Sequence, residues 1–166
     1  MNPMDAFAQE FEHESAATRT LIEAVPEDKY GWRAHEKAMT LGELVGHLAG
    51  ICEGMPQVMD GDSFDIAQRP GPDAGPTNRA DALARFDAAT KGALAWMTGL
   101  GDRALDTWKL YSGEQELMAM PRMAAIRGFL MNHSYHHRGQ LSGYLRAAGA
   151  AVPSVYGPTA DVDPFA

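Results

Sequence analysis

The run from Pro121 to Gly149, PRMAAIRGFLMNHSYHHRGQLSGYLRAAG, constrains this chain more than any other stretch. Proline suits the first turn of a helix, because its missing N–H has no partner there anyway, and glycine suits the residue past the end. Nothing between them breaks the pattern, so a helix over about 121–148 is expected. It is the longest in the chain and must find other helices to cover its apolar face.

Three further segments supply them. Residues 4–24 place Phe7, Phe11, Leu21 and Ile22 among charged residues at helical spacing and stop at Pro26. Thr40, followed three residues later by Glu43, is the signature of a capping box and opens a second helix from about 41 to the high fifties, with Pro56 a kink or a stop. NRADALARFDAATKGALAWMTGL forms a third, with Leu83, Phe86, Leu94 and Met97 toward the core. Residues 60–77 concentrate Gly, Pro and Asp and read as a loop between helices two and three. Residues 99–121 are ambiguous, with TWKLY as an extended stretch, and the proline-containing end AAVPSVYGPTADVDPFA is either an ordered tail over the bundle or a frayed end. The expected fold class is all-α: a four-helix bundle with a long crossover between helices two and three, in one domain spanning 1–166.

Composition narrows the function classes. A chain of 166 residues, 45% hydrophobic and 22% charged, can bury a sizeable core. Its net charge of −8 offers no basic footprint for a phosphate backbone or an anionic membrane, so nucleic acid and membrane are not expected partners. No run reaches the roughly 18 apolar residues of a bilayer span. MNPMDAFAQEFEHE has early acids and no apolar core, unlike a secretory signal, and the single Cys52 cannot form an internal disulfide, so a cytoplasmic location is expected.

Chemistry concentrates in NHSYHHRGQL. His133 and His137, four apart on one helix, lie about 40° from each other and can reach a common point, a standard way to give a divalent ion two nitrogen ligands. His136 is rotated about 100° from His137 and points elsewhere. His47, alone among Leu44, Val45, Leu48 and Ile51 of helix two, is the natural third ligand, since bundle cores build metal sites from facing helices. Interhelical hydrogen bonding among these histidines remains the competing reading. His13, between two glutamates, and His35, in an irregular segment, are not expected to ligate.

The motifs LGELVGHLAG, MNHSYHHRGQLSGYLR and VPSVYGPTAD, with the lead-in YGWRAHEKAMTLGELVGHLA, together resemble the DinB/YfiT-like family of metal-binding proteins. This DinB is the damage-inducible protein, not the translesion polymerase of the same name. The lead-in is similar to the pattern W-R-P-x-x-K-S-x-(S/T)-L-G-E-L-x-x-H-L, with Ala34 in place of proline and Ala38 in place of serine. The resemblance implies a bundle, a homodimer, and a nickel or zinc ion held by His47, His133 and His137. It also implies kinship with enzymes that transfer or isomerise groups by way of a low-molecular-weight thiol.

Beside the three histidines, few polar groups are candidates for chemistry. Gln140 falls within about 20° of His133 and could contact a ligand from behind or bond across helices. Tyr144 could line the same cavity or belong to the core. Glu43 could serve as a general base, although its capping role accounts for it. Arg138 is expected to face solvent, and Cys52 to be a small apolar core residue. The leading function is then a metal-dependent thiol S-transferase acting on small electrophiles in stress or detoxification. The alternatives are a non-catalytic metal-binding dimer and a metal-dependent hydrolase.

Overall fold

The computed structural model describes residues 2–69, 71 and 73–165. Pro70 and Pro72 of the expected crossover loop lie outside the described residues, as do Met1 and Ala166.

Helix α1 spans Asp5–Glu23, α2 Leu41–Met59 and α3 Arg79–Gly99. The capping box forms: Thr40 Oγ1 accepts from the Glu43 amide at 3.0 Å, and Glu43 Oε2 accepts from the Thr40 amide at 2.7 Å. Pro56 does not stop α2, which continues to Met59. The fourth helix comprises α4 (Arg122–Ile126), a π-helical turn (Arg127–Asn132) and α5 (His133–Ala147). It closes as a Schellman motif, with Gly149 at φ +80°, its amide donating to Arg146 O at 3.1 Å and the Ala150 amide to Leu145 O at 2.9 Å.

The chain is not all-α. Three strands, β1 (Ser63–Asp65), β2 (Thr107–Ser112) and β3 (Gln115–Pro121), form a mixed sheet in the order β1-β2-β3. β1 lies parallel to β2, with Phe64 opposite Leu110, and β2 pairs antiparallel with β3 around a bulge between Leu110 and Tyr111. The physical reason is period two: Trp108 and Leu110 are buried while Thr107 is exposed and Lys109 and Tyr111 are half-buried, so β2 covers the core with one face. Gly113, at φ +59°, supplies the conformation that a two-residue hairpin turn of type II′ requires. The segments read as loop and as ambiguous therefore pair with each other.

Arg122 joins this sheet to the helices. Its fully buried guanidinium donates to Met59 O (2.9 Å), Arg103 O (2.6 Å), Gly61 O (3.0 Å) and Asp62 Oδ1 (2.9 Å). It thus satisfies carbonyls at the end of α2, where the helix leaves them without partners.

A continuous apolar core runs through all four helices and takes in Trp108 from β2. Phe11, Leu21, Ile22, Phe86 and Met97 are buried in it as expected, whereas Phe7, Leu83 and Leu94 are half-buried against its edge. The end of the chain is ordered over α5: the Val152 amide donates to Asp161 Oδ2 at 2.9 Å, and Arg146 ion-pairs with Asp161.

Candidate metal centre

The capping box fixes where α2 begins and so places His47 on its inner side, facing the fourth helix. His133 opens α5 directly after the π-helical turn, and His137 follows one turn later. Their Nε2 atoms meet: His133 to His137 is 2.9 Å, His47 to His137 3.1 Å and His47 to His133 3.4 Å. Three nitrogens each about 2.0–2.1 Å from one ion are roughly 2.9–3.4 Å apart, for angles between right and tetrahedral. The set has the dimensions of one face of a coordination shell.

The hydrogen bonding behind the rings bears on whether a cation is needed. His137 Nδ1 lies 2.9 Å from Gln140 Oε1, an acceptor; with the amide in this orientation the ring proton is on Nδ1 and Nε2 presents a lone pair. The backbone of Phe129, one turn earlier, opposes part of the downward shift that burial imposes on His133. All three Nε2 atoms converge on one point, each within 3.4 Å of the other two. Burial also disfavours a protonated ring: it holds His47 down to about 4, helped by His137 and His133, and it lowers His133 and His137. Three neutral imidazoles aimed at one point fit a divalent ion of the nickel, zinc or iron class.

A cavity of about 300 Å³ opens beside His47, lined by Arg33, Glu36, Lys37, Met39, Glu43 and Asp73. Its walls are the lead-in to α2, the first turns of α2 and the crossover before α3. The crossover lies directly on α2, because a Cβ on Gly46 would fall 2.6 Å from Gly75 Cα and one on Gly42 would fall 2.5 Å from Pro76 O. Gly75, at φ +73°, accepts that approach. A groove of similar volume between α1 and α3, lined by Phe11, Arg19, Phe86 and Leu94 among others, contains none of the three histidines.

Most candidates fall where spacing put them. His136 is exposed, as are His13 and His35. Gln140 stands behind His137 rather than bonding across helices, and its Nε2 donates to Tyr144 OH at 3.0 Å. The Tyr144 ring meets Trp32 edge-on at 5.8 Å. Glu43 lines the cavity, but Oε2 is engaged by the Thr40 amide, which leads the effects holding its carboxyl below the usual range. Cys52 is buried in the core, and burial raises its thiol to about 12.

Arg138 is a correction. It is buried, paired with Glu14 and flanked by the rings of Tyr135 and Tyr156 at 5.1 and 5.2 Å. Burial raises the Glu14 carboxyl, but the Tyr156 hydroxyl and Arg138 outweigh it and the net shift is downward. Arg33, Lys37 and Asp73 line the cavity without having stood out in the sequence; Asp73 comes from the crossover. Its carboxylate accepts from the Gly75 amide at 2.9 Å and pairs with Arg85, and the signal that could have placed it was the Gly42-x-x-x-Gly46 spacing, which invites a second backbone onto α2.

Comparison with known proteins bears on the fold and the family. An uncharacterized protein, YrdA, of Bacillus subtilis is 26% identical over 157 residues, covering 93% of this chain and 89% of that protein. The crystal structure of a DinB-like protein from Bacillus cereus superposes with a TM-score of 0.75 at 17% identity, over 92% of this chain and 97% of that one. A second DinB-like structure, from Bacillus subtilis, gives 0.71 at 19% identity, over 91% and 97%. At these identities the two structures bear on the fold alone. The DinB family model matches residues 1–162, and the chain belongs to the DinB family.

Proposed function

We propose that this protein is a divalent-metal enzyme of the thiol S-transferase type, acting on small electrophiles in stress or detoxification. The observation that carries the metal reading is the convergence of three imidazole Nε2 atoms, 2.9 to 3.4 Å apart, on one point. His47, His133 and His137 would hold the ion, nickel or zinc, on one side and leave the side toward the cavity for a small molecule. A bound ion supplies the positive charge that lets a thiol lose its proton near neutral pH.

The remaining residues define what can approach. Arg33 and Lys37 are exposed at the cavity, where they offer positive charge to an anionic thiol, and Met39 supplies an apolar wall. The hydrolytic alternative has less support at Glu43 and Asp73, whose carboxylates are already committed to the Thr40 amide and to Arg85, and would have to rest on Glu36. Assembly as a homodimer rests on the family resemblance and is read out by sedimentation. A cytoplasmic setting belongs to the same reading. No described helix is long and apolar enough to cross a membrane.

The test is elemental analysis of the untagged protein, with His133→Ala in parallel. About one equivalent of metal per chain is expected in the wild type and none in the variant; metal retained in full by the variant would sink the site. A companion screen offers several low-molecular-weight thiols with a chromogenic electrophile. Turnover that disappears with a chelator supports the transferase, and its absence with every thiol leaves a non-catalytic metal-binding protein.

A further inference from the structure

We propose that Gln140 and Tyr144 form a two-state hydrogen-bond relay behind His137, whose direction decides whether that histidine can bind metal. The inference rests on His137 being a ligand and goes on to name what controls it.

The relay runs from His137 Nδ1 to Gln140 Oε1 at 2.9 Å and from Gln140 Nε2 to Tyr144 OH at 3.0 Å. Each member can be reversed. An amide turned by half a rotation exchanges its oxygen and nitrogen, a phenol either donates or accepts, and an imidazole carries its proton on either nitrogen. In the arrangement present, His137 donates from Nδ1, Gln140 donates to Tyr144, and His137 Nε2 is a free lone pair facing His47 and His133. In the reverse arrangement Tyr144 donates to Oε1, Gln140 donates to a bare Nδ1, and the ring proton sits on Nε2, where it blocks ligation. Every hydrogen bond of the relay is satisfied both ways. The interchange moves one proton from Nε2 to solvent and returns one from solvent to Nδ1, so no net charge is taken up or released.

Metal selects the first arrangement, because only that one offers it a lone pair, and whatever stabilises that arrangement tightens metal binding by as much as it raises the fraction of chains in it. Tyr144 is placed to feel the cavity. Its ring packs against Trp32 at 5.8 Å, and Trp32 O accepts from the Leu41 amide at 2.8 Å, immediately before the wall residues Arg33 and Lys37 and at the start of α2. Gln140 and Tyr144 are positioning residues here: neither touches the ion, and both act through the His137 ring.

The experiment is zinc titration of the full-length protein, with long-range proton–nitrogen correlation spectra of the histidine rings before and after loading. In the wild type, metal-free His137 should populate both tautomers and zinc should leave only the Nδ1–H form. Gln140→Glu, which can only accept, should give the Nδ1–H form without metal and bind zinc at least as tightly as wild type. Gln140→Met, similar in shape but without polar atoms, should lose about 10–100-fold in affinity. Tyr144→Phe should fall between them.

Metal-free wild type already wholly in the Nδ1–H form overturns the two-state relay. So does Gln140→Met binding zinc like wild type, or Gln140→Glu losing as much affinity as Gln140→Met; in these cases the metal site itself stands. Failure of the wild type to bind zinc overturns the ligand reading and the relay together.

Discussion

His47 Nε2 lies 3.1 Å from His137 Nε2, although 90 positions separate the two residues and they reach each other from different helices. Each of the three rings therefore holds one corner of a shared point, and removing any one opens it. Zinc at a hundredfold excess over its Kd should stabilise the wild type by about 2.7 kcal/mol, since it binds only the folded state. For a chain of this length that is a rise in Tm of about 5–10 °C. His47→Ala should show no zinc-dependent rise in a thermal melt, and a rise of wild-type size would place the ion elsewhere.

The same cluster sets an acid limit on the metal-free protein. Burial holds His47 down to about 4, and it lowers His133 and His137, whereas in the unfolded chain each titrates near its ordinary value of about 6.5. Between those values the unfolded state binds more protons, so stability should be full above about pH 7 and decline as pH falls from about 6.5 toward 4. Carboxylates held low by their partners, such as Glu14 and Asp73, stabilise above their ordinary range near 4 to 4.5 and lose that contribution only below it. The interval from pH 6.5 to 5 thus reports the histidines. Urea midpoints that stay level across it would contradict the assignment, and added zinc should steepen the decline, because protons and metal compete for the same nitrogens.

How closely the crossover lies on α2 can be tested at Gly46. A methyl group there would stand 2.6 Å from Gly75 Cα, with backbone on both sides and no flexible side chain to yield. Gly46→Ala should cost about 1–3 kcal/mol by overpacking. Because His47 is the next residue and Asp73 lies just before Gly75, zinc affinity should fall as well. Gly92→Ala, where an added Cβ meets nothing within 4 Å, is the control and should be neutral or better.

These positions also show what could be read from the sequence. The His133–His137 pair was legible because a helix is periodic, so spacing alone gives a shared face. His47 needed only the further step that bundle helices face one another. The sheet was not legible: β1 has three residues, and β3, QELMAMP, keeps none of its side chains fully buried, so neither imposes a strong alternation. Its one local sign was Gly113, which opens the turn after TWKLYS. Nor could Arg138 be placed, since what makes its burial tolerable is Glu14, 124 residues away on α1.

Arg122 is the counterpart of that lesson for the sheet. Its guanidinium is fully buried and serves three backbone carbonyls from two segments, while its carboxylate partner Asp62 stays largely in solvent. Arg122→Met keeps much of the volume and leaves those carbonyls without donors, at about 1–3 kcal/mol for each one that water cannot reach. Asp62→Asn should cost no more than about 1 kcal/mol, as for an exposed pair. Equal losses in the two variants, measured by urea denaturation, would mean that the ion pair rather than the carbonyl contacts holds the sheet to the helices.

Arg138 and Glu14 form the one buried ion pair among the described residues in which both side chains are nearly closed to solvent, at 9% and 11% exposure. Burying two charges gains little in itself, but removing one partner strands the other. Arg138→Leu should therefore cost about 3–5 kcal/mol, leaving the Glu14 carboxylate with the Tyr156 hydroxyl alone. The double variant Glu14→Leu/Arg138→Leu should recover most of that loss, because neither charge remains to be stranded. Since Arg138 follows His137 directly, the same cycle asks whether the pair also supports the ligand. Zinc affinity should recover along with stability in the double variant. If affinity stayed low while stability returned, the guanidinium itself, and not the packing it maintains, would be what steadies His137.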